Sequence, residues 1–194
     1  MDYKQEEFLS KQRALELWDS GDIDKIETGT FKGLAEIHRY IFQDVYSFAG
    51  ELRSVNIAKG NFRFAPVLYL EASIKEIEKM PQNTFEECVD KYVEMNVAHP
   101  FREGNGRSGR IWLDKMLKAA VGKCIDWSQI DKESYLSAIE RSPVNSLEIK
   151  HLLSSALITD ISSREIYMKG IDNSYRYEEA NTVNIFDVDK FHIR

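Results

Sequence analysis

Hydrophobic residues recur at helical spacing, three or four positions apart, along most of the chain. Four such stripes can each share one helical face: Phe8, Leu15 and Trp18; Leu34, Ile37, His38 and Ile41; Leu70, Ile74 and Ile77; and Cys88, Tyr92 and Met95. Further helices are predicted from near Arg107 through Ala120 and over residues 132–142, 146–157 and 162–179, the last interrupted or bent at Gly170. The pattern predicts a mainly α protein.

Polar residues mark several of the expected helix ends. Thr30 is a candidate N-cap for the second stripe, and Thr84 with Glu87 forms a capping box for the fourth. That fourth helix is expected to end at Ala98 or His99, because a residue before proline avoids helical geometry.

One region has strand character. Residues 52–57 and 62–65 are compatible with β-structure, and Gly60-Asn61 between them favours a turn. A lone hairpin is marginally stable in water, so this one must lie against the helices or act as a movable flap. With no repeat or linker in the sequence, the expectation is a single helical domain with one β-hairpin.

Composition narrows the functional class. The 194 residues are 43% hydrophobic and 30% charged, and the net charge of -6 gives no general basic footprint for nucleic acid. Cys88 and Cys124 lack metal-ligand spacing and are expected to be reduced thiols. No run approaches the ~18 apolar residues of a membrane span, and residues 1–10 have no signal or transit composition. We therefore expect a soluble, cytoplasmic protein without direct contact to nucleic acid or membrane.

The segment between the fourth and fifth helices concentrates functional groups. Gly104 and Gly106 permit close approach of a ligand to the backbone, and the following helix N-terminus offers free N–H donors for an anion. Arg107 and Arg110, three apart, can bind phosphate oxygens bidentately.

Two residues of the same segment suit catalysis. Glu103 is a hard ligand suited to Mg²⁺ shared with phosphates, and the near-neutral pKa typical of histidine suits His99 to remove a proton from a hydroxyl. Each feature alone is commonly a helix end, a turn or a solvated face. Together they favour a nucleotide or phosphate site, although this chemistry does not say which phosphate is attacked.

Residues 99–110, His-Pro-Phe-Arg-Glu-Gly-Asn-Gly-Arg-Ser-Gly-Arg, resemble the signature of the Fic family, His-Pro-Phe-x-(Asp/Glu)-Gly-Asn-Gly-Arg-x-x-Arg, at every fixed position. The resemblance implies a Fic domain over residues 1–160, with a core at about 30–155 and a flap at 51–65. It also implies transfer of AMP from ATP to a protein Tyr, Ser or Thr hydroxyl, with pyrophosphate released.

The resemblance assigns a role to each position of the loop. His99 would be the general base, and Glu103 would hold Mg²⁺ between the α- and β-phosphates of ATP. The remaining positions would bind the phosphates: Gly104, Asn105 and Gly106 around the α-phosphate, Arg107 at the β/γ end, and Arg110 at the γ-phosphate.

The hairpin and the adenine side gain roles in the same way. The flap would register a target segment through strand-like hydrogen bonds, with Phe62 and Phe64 as clamps. Residues expected near the nucleotide, from the flap and from beyond the loop, are Lys59, Gly60, Arg63, Tyr135 and Asn145. The alternative is a packed hairpin with core aromatics, and for Tyr135 and Asn145 a packing or capping role.

Residues 161–194 would hold a C-terminal inhibitory helix region and a tail that the pattern does not explain. Small Fic proteins carry an inhibitory helix after the core with the pattern Ser/Thr-x-x-x-Glu-Gly/Asn, which residues 174–178 resemble. Ser174 and Glu178 fit, whereas Glu179 stands where the family has Gly or Asn. Glu178 would pair with Arg110 and displace the γ-phosphate, and Tyr175 would be a self-modification site once the helix is released. The alternative is a solvated amphipathic helix.

Several alternatives to self-inhibited AMP transfer stay open. The chain could transfer another phosphate-linked group or remove AMP, or it could be a non-catalytic nucleotide-sensing module. An antitoxin-binding surface and a homo-oligomer are further possibilities. For the target, the resemblance suggests a bacterial type II topoisomerase subunit such as DNA gyrase.

Overall fold

Helices account for most of the chain in the computed structural model, which describes residues 2–60, 62–178 and 183–186. The helices in these ranges are α1 (Tyr3–Asp19), α2 (Asp22–Lys25), α3 (Phe31–Phe42), α4 (Val67–Lys79), α5 (Phe85–Ala98), α6 (Asn105–Val121), α7 (Lys132–Arg141), α8 (Leu147–Ser155) and α9 (Arg164–Glu178). The strands are β1 (Asn56–Lys59), β2 (Phe62–Arg63), β3 (Cys124–Ile125), β4 (Leu157–Ile158) and β5 (Val183–Phe186). The predicted mainly α fold is confirmed.

The polar caps lie where the sequence predicts them. The Thr30 hydroxyl accepts from the Gly33 N–H at 3.0 Å, and Thr84 and Glu87 form a complete capping box on α5. Helix α5 ends at Ala98, and His99 turns to a left-handed φ of 51° ahead of Pro100. The end of α5, and with it the start of the functional loop, is therefore fixed by local sequence.

Helix α6 lies at the centre of the core. It packs against α3, α5 and α9, and Trp112, Leu113 and Leu117 on it are fully buried. The Trp112 indole also donates to the Thr30 carbonyl at 3.1 Å. Since each large apolar side chain contributes about 1.5–3 kcal/mol on burial, this packing holds the start of α6 rigidly beside the loop.

The predicted face of α1 is wrong. Phe8 is 62% exposed, and the buried residues of this helix are Ser10, Ala14 and Leu17. Helix α1 packs against both α3 and α9. Small residues let two neighbouring helices approach, so the buried face follows those neighbours rather than the largest apolar side chains.

The strands are shorter and more numerous than predicted. The hairpin is confirmed, with Ala58 opposite Arg63 and Lys59 opposite Phe62. The sequence did not predict β3 and β4, which pair with each other, or β5, which adds to β1 and gives a sheet of order β2-β1-β5. The hairpin is therefore not a lone two-stranded unit.

Two expectations about helices need correction. Helix α6 begins at Asn105, ahead of the predicted Arg107. Gly170 neither ends nor interrupts α9, because its lack of a side chain serves packing: a Cβ there would lie 3.1 Å from Trp127 Cδ1. Gly170 lets α9 pack closely on the tryptophan.

The structure bears on two of the features considered from composition, the cysteines and the membrane spans. Cys88 and Cys124 are free and buried, and burial raises the pKa of each thiol to about 11. Among the described residues, none of the helices combines the length and apolarity needed to traverse a bilayer.

Candidate active site

The loop between α5 and α6 is held by its own side chains. The Asn105 amide group accepts from the Phe101 N–H and donates to the Phe101 carbonyl, each at 2.8 Å. Gly104 has a φ of 80°, and a Cβ on it would lie 2.5 Å from Phe42 Cε2. Only glycine meets both conditions. Asn105 therefore shapes the loop, and its side chain is engaged by protein rather than free for a phosphate.

His99 stands at the start of the loop with its ring packed on the hairpin. Its Nδ1 lies 3.1 Å from the Asn96 carbonyl, and its ring stacks on Phe64 at 3.6 Å. A carbonyl only accepts, so Nδ1 carries the proton and Nε2 keeps its lone pair. Burial lowers the pKa of His99 to about 3, which leaves the imidazole neutral at pH 7.

Arg53, which no motif in the sequence marks, joins the loop to the hairpin. Its guanidinium donates to the carbonyls of His99 at 2.7 Å, Ala98 at 3.0 Å and Val55 at 2.7 Å. The side chain is 3% exposed, and burial lowers its pKa to about 10. Arg53 fixes the general-base candidate relative to the flap.

His38 supports the other end of the loop. The Gly50 N–H donates to its Nδ1 at 2.9 Å, so Nε2 donates to the Glu103 carbonyl at 2.8 Å. Its ring stacks on Phe101 at 3.9 Å, and burial lowers its pKa to about 4. A neutral histidine therefore fixes the backbone at Glu103, a role that helical periodicity could not reveal.

A cavity of about 290 Å³ lies between the hairpin, the loop, α7 and the end of α9. Its size suits a small organic ligand. It brings together most of the predicted site residues: Lys59, Gly60, Phe62, Phe64, His99, Glu103, Asn105, Gly106, Arg110, Tyr135 and Glu178. The hairpin and the loop thus form two walls of one site.

Arg110 is bound on all sides within this site. Its Nε donates to the Ser174 hydroxyl at 2.7 Å, and its NH2 lies 3.1 Å from Glu178 Oε1. Tyr135 Oη accepts from NH1 at 3.3 Å. The guanidinium, in a residue only 2% exposed, is therefore paired with α9 through both residues that the sequence predicted there.

Glu178 lies against the beginning of α6. A Cβ on Gly106 would collide with Glu178 Oε1, and Lys59 Nζ lies 3.5 Å from Glu178 Oε2. Burial alone would raise the pKa of Glu178, but the positive charges of Lys59, Arg110 and Arg107 outweigh it and lower the pKa to about 2. The carboxylate occupies the position where a helix N-terminus and two cations would receive an anion.

Arg107 points elsewhere. Its NH1 lies 2.6 Å from Glu6 Oε1 of helix α1 and its NH2 lies 3.4 Å from Glu103 Oε1. Tyr46 donates to the same Glu6 oxygen at 2.5 Å. Arg107 is not among the residues that line the cavity. The contact of Arg107 with the β/γ end of ATP stays a prediction. No motif or spacing in the sequence indicated that Glu6 would be its partner.

Three further predicted residues lie outside the cavity. Asn145 is exposed and its Oδ1 accepts from the Leu147 N–H at 3.0 Å, as a helix cap does. Arg63 is exposed on β2. Tyr175 is 3% exposed and its hydroxyl bonds to Ser10 under helix α1. For Asn145 the structure favours the capping alternative. Glu179, the position at which the chain departs from the inhibitory pattern, lies outside the described residues.

Glu103 is the residue that fits a divalent cation. Its side chain is 34% exposed, one oxygen accepts from the Gly104 N–H at 3.0 Å, and burial raises its pKa. The described residues contain no cluster of three or more His, Cys, Asp or Glu that could hold a metal alone. A single carboxylate fits Mg²⁺, which commonly takes one or two carboxylates together with substrate phosphates.

Comparison with known proteins places this geometry in a family. The sequence profile of the Fic/DOC family matches residues 29–117. A probable protein adenylyltransferase from Sinorhizobium fredii is 32% identical over 149 residues, which cover 71% of this chain and 74% of that protein. The chain belongs to the Fic/DOC family. The predicted membership is confirmed.

Two further relatives of this Fic/DOC protein have the same kind of name. The probable protein adenylyltransferase Fic of Escherichia coli K12 is 29% identical over 143 residues, covering 68% of this chain and 71% of that protein. The protein adenylyltransferase VbhT of Bartonella schoenbuchensis is 30% identical over 168 residues, covering 81% of this chain and 34% of that protein. An AMP-transferring enzyme is thereby confirmed at the level of the family.

Solved structures confirm the Fic fold. The BepC protein of Bartonella tribocorum, with bound AMPPNP, superposes with a TM-score of 0.66 at 21% identity, covering 80% of this chain and 86% of that one. The Fic domain of a Bartonella quintana cell filamentation protein, with bound ADP, gives 0.65 at 21% identity, covering 84% and 86%. Both relatives carry an adenine nucleotide or its analogue.

Proposed function

We propose that this Fic/DOC protein transfers AMP from Mg-ATP to a hydroxyl of a target protein and holds itself inactive through Glu178. The observation that carries the proposal is the convergence of His99, Glu103 and Arg110 on one cavity at the N-terminus of α6. Relatives named protein adenylyltransferases support the reaction, and relatives with bound AMPPNP and ADP support the nucleotide.

The general base in this proposal is Nε2 of His99. It takes the proton of the acceptor hydroxyl while the hydroxyl oxygen forms a bond to the α-phosphorus and the bond to pyrophosphate breaks. The protonated Nδ1 is oriented by the Asn96 carbonyl and the ring by Phe64. A neutral imidazole at pH 7 is ready to accept, and a positioned general base typically contributes about 10²- to 10⁴-fold.

The phosphates are placed at the start of α6. Once Glu178 has left, the N–H donors around Gly106 and the Arg110 guanidinium stabilise negative charge there. Glu103 would hold Mg²⁺, which supplies charge neutralisation between the phosphates. Tyr135 and the hairpin residues Lys59 and Phe62 complete the walls around the nucleotide.

Self-inhibition follows from the position of Glu178. Its carboxylate occupies the anion position beside Gly106 and pairs with Arg110, so a γ-phosphate at that guanidinium must displace it. Ser174, on the same face of α9, binds the same guanidinium at Nε. In this proposal the end of α9 inhibits by blocking the binding of the γ-phosphate to Arg110, and it does not act on His99.

The acceptor is proposed to be a hydroxyl side chain of another protein, as the names of the relatives suggest. A type II topoisomerase subunit such as DNA gyrase stays a prediction. Self-modification of Tyr175 requires α9 to leave, because its hydroxyl is bonded to Ser10 beneath helix α1. We expect it to follow release of α9 rather than precede it.

The decisive experiment uses the Glu178→Gly variant with Mg-ATP and bacterial lysate, with ATP labelled at either the α- or the γ-phosphate. We expect α-label on protein and a mass increase of one AMP. The Glu178→Gly/His99→Ala double variant should lose about 10²- to 10⁴-fold.

The matched control is Glu165→Gly, on the exposed first turn of the same helix, which should behave as the parent. Label retained from the γ position would replace AMP transfer with phosphate transfer. No label from either nucleotide would contradict the proposed reaction, and equal labelling by the parent and Glu178→Gly would contradict the inhibition.

A further inference from the structure

The hairpin does not end in a free edge. Strand β5 pairs antiparallel with β1 over four positions: Asn56 with Phe186, Ile57 with Ile185, Ala58 with Asn184, and Lys59 with Val183. On its other side β1 pairs with β2. Strand β5, at the C-terminal end of the described residues, thus pairs with the outer edge of a hairpin that lies far away in sequence.

This edge ends at the cavity. Lys59, the last residue of β1, lines the cavity and lies 3.5 Å from Glu178, and the same hairpin carries Phe64, on which His99 stacks. A free strand edge binds an extended peptide through main-chain hydrogen bonds. A segment on this edge would be presented beside the general base.

We propose that β5 is a competing segment of the same chain, which occupies the β1 edge where the flap would register an extended segment of the target protein. The inference rests on the proposed AMP transfer. Val183, Asn184, Ile185 and Phe186 include no Ser, Thr or Tyr. The paired strand therefore offers no acceptor hydroxyl and acts as a pseudosubstrate, which occupies the place of a target without being modified.

The position of β5 in the chain couples it to the inhibitory glutamate. Only residues 179–182 separate Glu178, held by Arg110, from Val183, paired with Lys59. A short tether gives an intramolecular segment an effective concentration on the order of millimolar. A target segment of micromolar affinity is then outcompeted as long as docked α9 keeps β5 close to β1.

The test uses the full chain with Asn184→Pro and Ile185→Pro together, since proline removes backbone N–H donors, including that of Asn184, which faces Ala58. The matched control, Asn184→Ala with Ile185→Ala, keeps those donors. Because Ile57 bonds to the β2 side, the amides that face β5 are those of Asn56 and Ala58. We expect these two amides to exchange with solvent at least tenfold faster in the proline variant than in the parent. The alanine control should keep most of its protection.

A labelled peptide of residues 181–188 probes the vacated edge directly. It should bind the proline variant at micromolar concentration in a fluorescence anisotropy titration, and it should not bind the parent or serve as an acceptor at positions 183–186. Unchanged amide exchange in the proline variant, or absence of peptide binding to it, would overturn the proposal.

The role in target docking is tested in the Glu178→Gly background. Adding the two prolines should raise modification of lysate proteins at least threefold, and the free peptide should reverse that rise. An active background without any rise overturns the docking role. If the Glu178→Gly variant itself is inactive, the proposed transfer reaction is contradicted instead. The strand pairing is then still tested by amide exchange and peptide binding, because neither measurement needs nucleotide.

Discussion

Arg107 and Arg110 lie one turn apart on helix α6, and they are 4% and 2% exposed, yet they serve different neighbours. Arg107 is paired with Glu6 of α1 at 2.6 Å and does not line the cavity. Arg110 is paired with Glu178 of α9 at 3.1 Å and does line it. One helix thus presents one guanidinium to the protein scaffold and one to the site.

The difference shows that similar ion pairs can have different uses. An ion pair with no access to a ligand contributes to the folded state alone, whereas a pair at a cavity wall can be exchanged for a ligand. Glu6 and Glu178 are comparably buried, with side chains 19% and 16% exposed. Replacing each by its isosteric amide therefore separates the two uses.

The largest expected effect is on activity at the α9 side. Glu178→Gln keeps the shape but removes a charge-assisted hydrogen bond worth about 1.5–3 kcal/mol. We expect AMP transfer to rise about 10- to 100-fold, measured as initial rate at Mg-ATP well below the apparent KM, where ATP does not itself displace α9. Glu6→Gln in the same assay should give no rise. Activation by Glu6→Gln would show that both pairs restrain the enzyme.

The second effect is on stability at the α1 side. Glu6→Gln removes the closest carboxylate from the buried Arg107 charge and leaves it the longer contact with Glu103 at 3.4 Å, at a cost of about 1–3 kcal/mol. For a chain of this length we expect Tm to fall by roughly 2–12 °C. Glu178→Gln should lower Tm less, because Arg110 keeps its hydrogen bonds to Ser174 and Tyr135. Calorimetry in which the Glu178 variant falls further would reverse this assignment.

A smaller activation is expected from Ser174→Ala. The hydroxyl accepts from Arg110 Nε at 2.7 Å. In the alanine variant the Glu178–Arg110 ion pair remains and still binds α9 to the site. We predict a rise of about two- to tenfold in initial rate, with most of the gain in the apparent KM for ATP. The control is Ser155→Ala, at the exposed end of helix α8. An effect equal to that of Glu178→Gln would make Ser174 the main contact.

The smallest expected effect is that of pH. The pKa of Glu178 is lowered to about 2, so its favourable contribution is present above the ordinary carboxyl range and is lost only as pH falls towards 2. The ratio of Glu178→Gln activity to parent activity should therefore stay constant from pH 5 to 8. A ratio that falls towards 1 at pH 5 would show that protonation releases the helix.

Much of the site could be predicted from sequence because its determinants are local. The capping box at Thr84 fixes the start of α5, Pro100 fixes its end, and glycine at 104 and 106 is demanded by close contacts. The pairing of Glu178 with Arg110 was also predicted, and Ser174 was expected in the same inhibitory helix; the two residues are four apart and share a helical face. Local rules sufficed where neighbours in sequence set the geometry.

The features that the sequence did not predict depend on contacts between residues far apart in sequence. Phe8 is exposed while Ser10 is buried, because the Ser10 hydroxyl meets Tyr175 of α9. Glu6 is one acidic residue among many until Arg107 lies beside it. The short run at 183–186 has β-forming residues, but its partner β1 lies more than a hundred positions earlier. No periodicity encodes such contacts.

The single guanidinium of Arg110 also has a thermodynamic consequence. Since it cannot hold Glu178 and a γ-phosphate together, binding of nucleotide and docking of α9 are negatively coupled. Linkage makes that coupling reciprocal: whatever factor docking removes from ATP affinity, ATP removes from docking. The nucleotide is then both the co-substrate and the agent that shifts the enzyme's resting population, so the response to cellular ATP depends on how firmly the last turn of α9 is held.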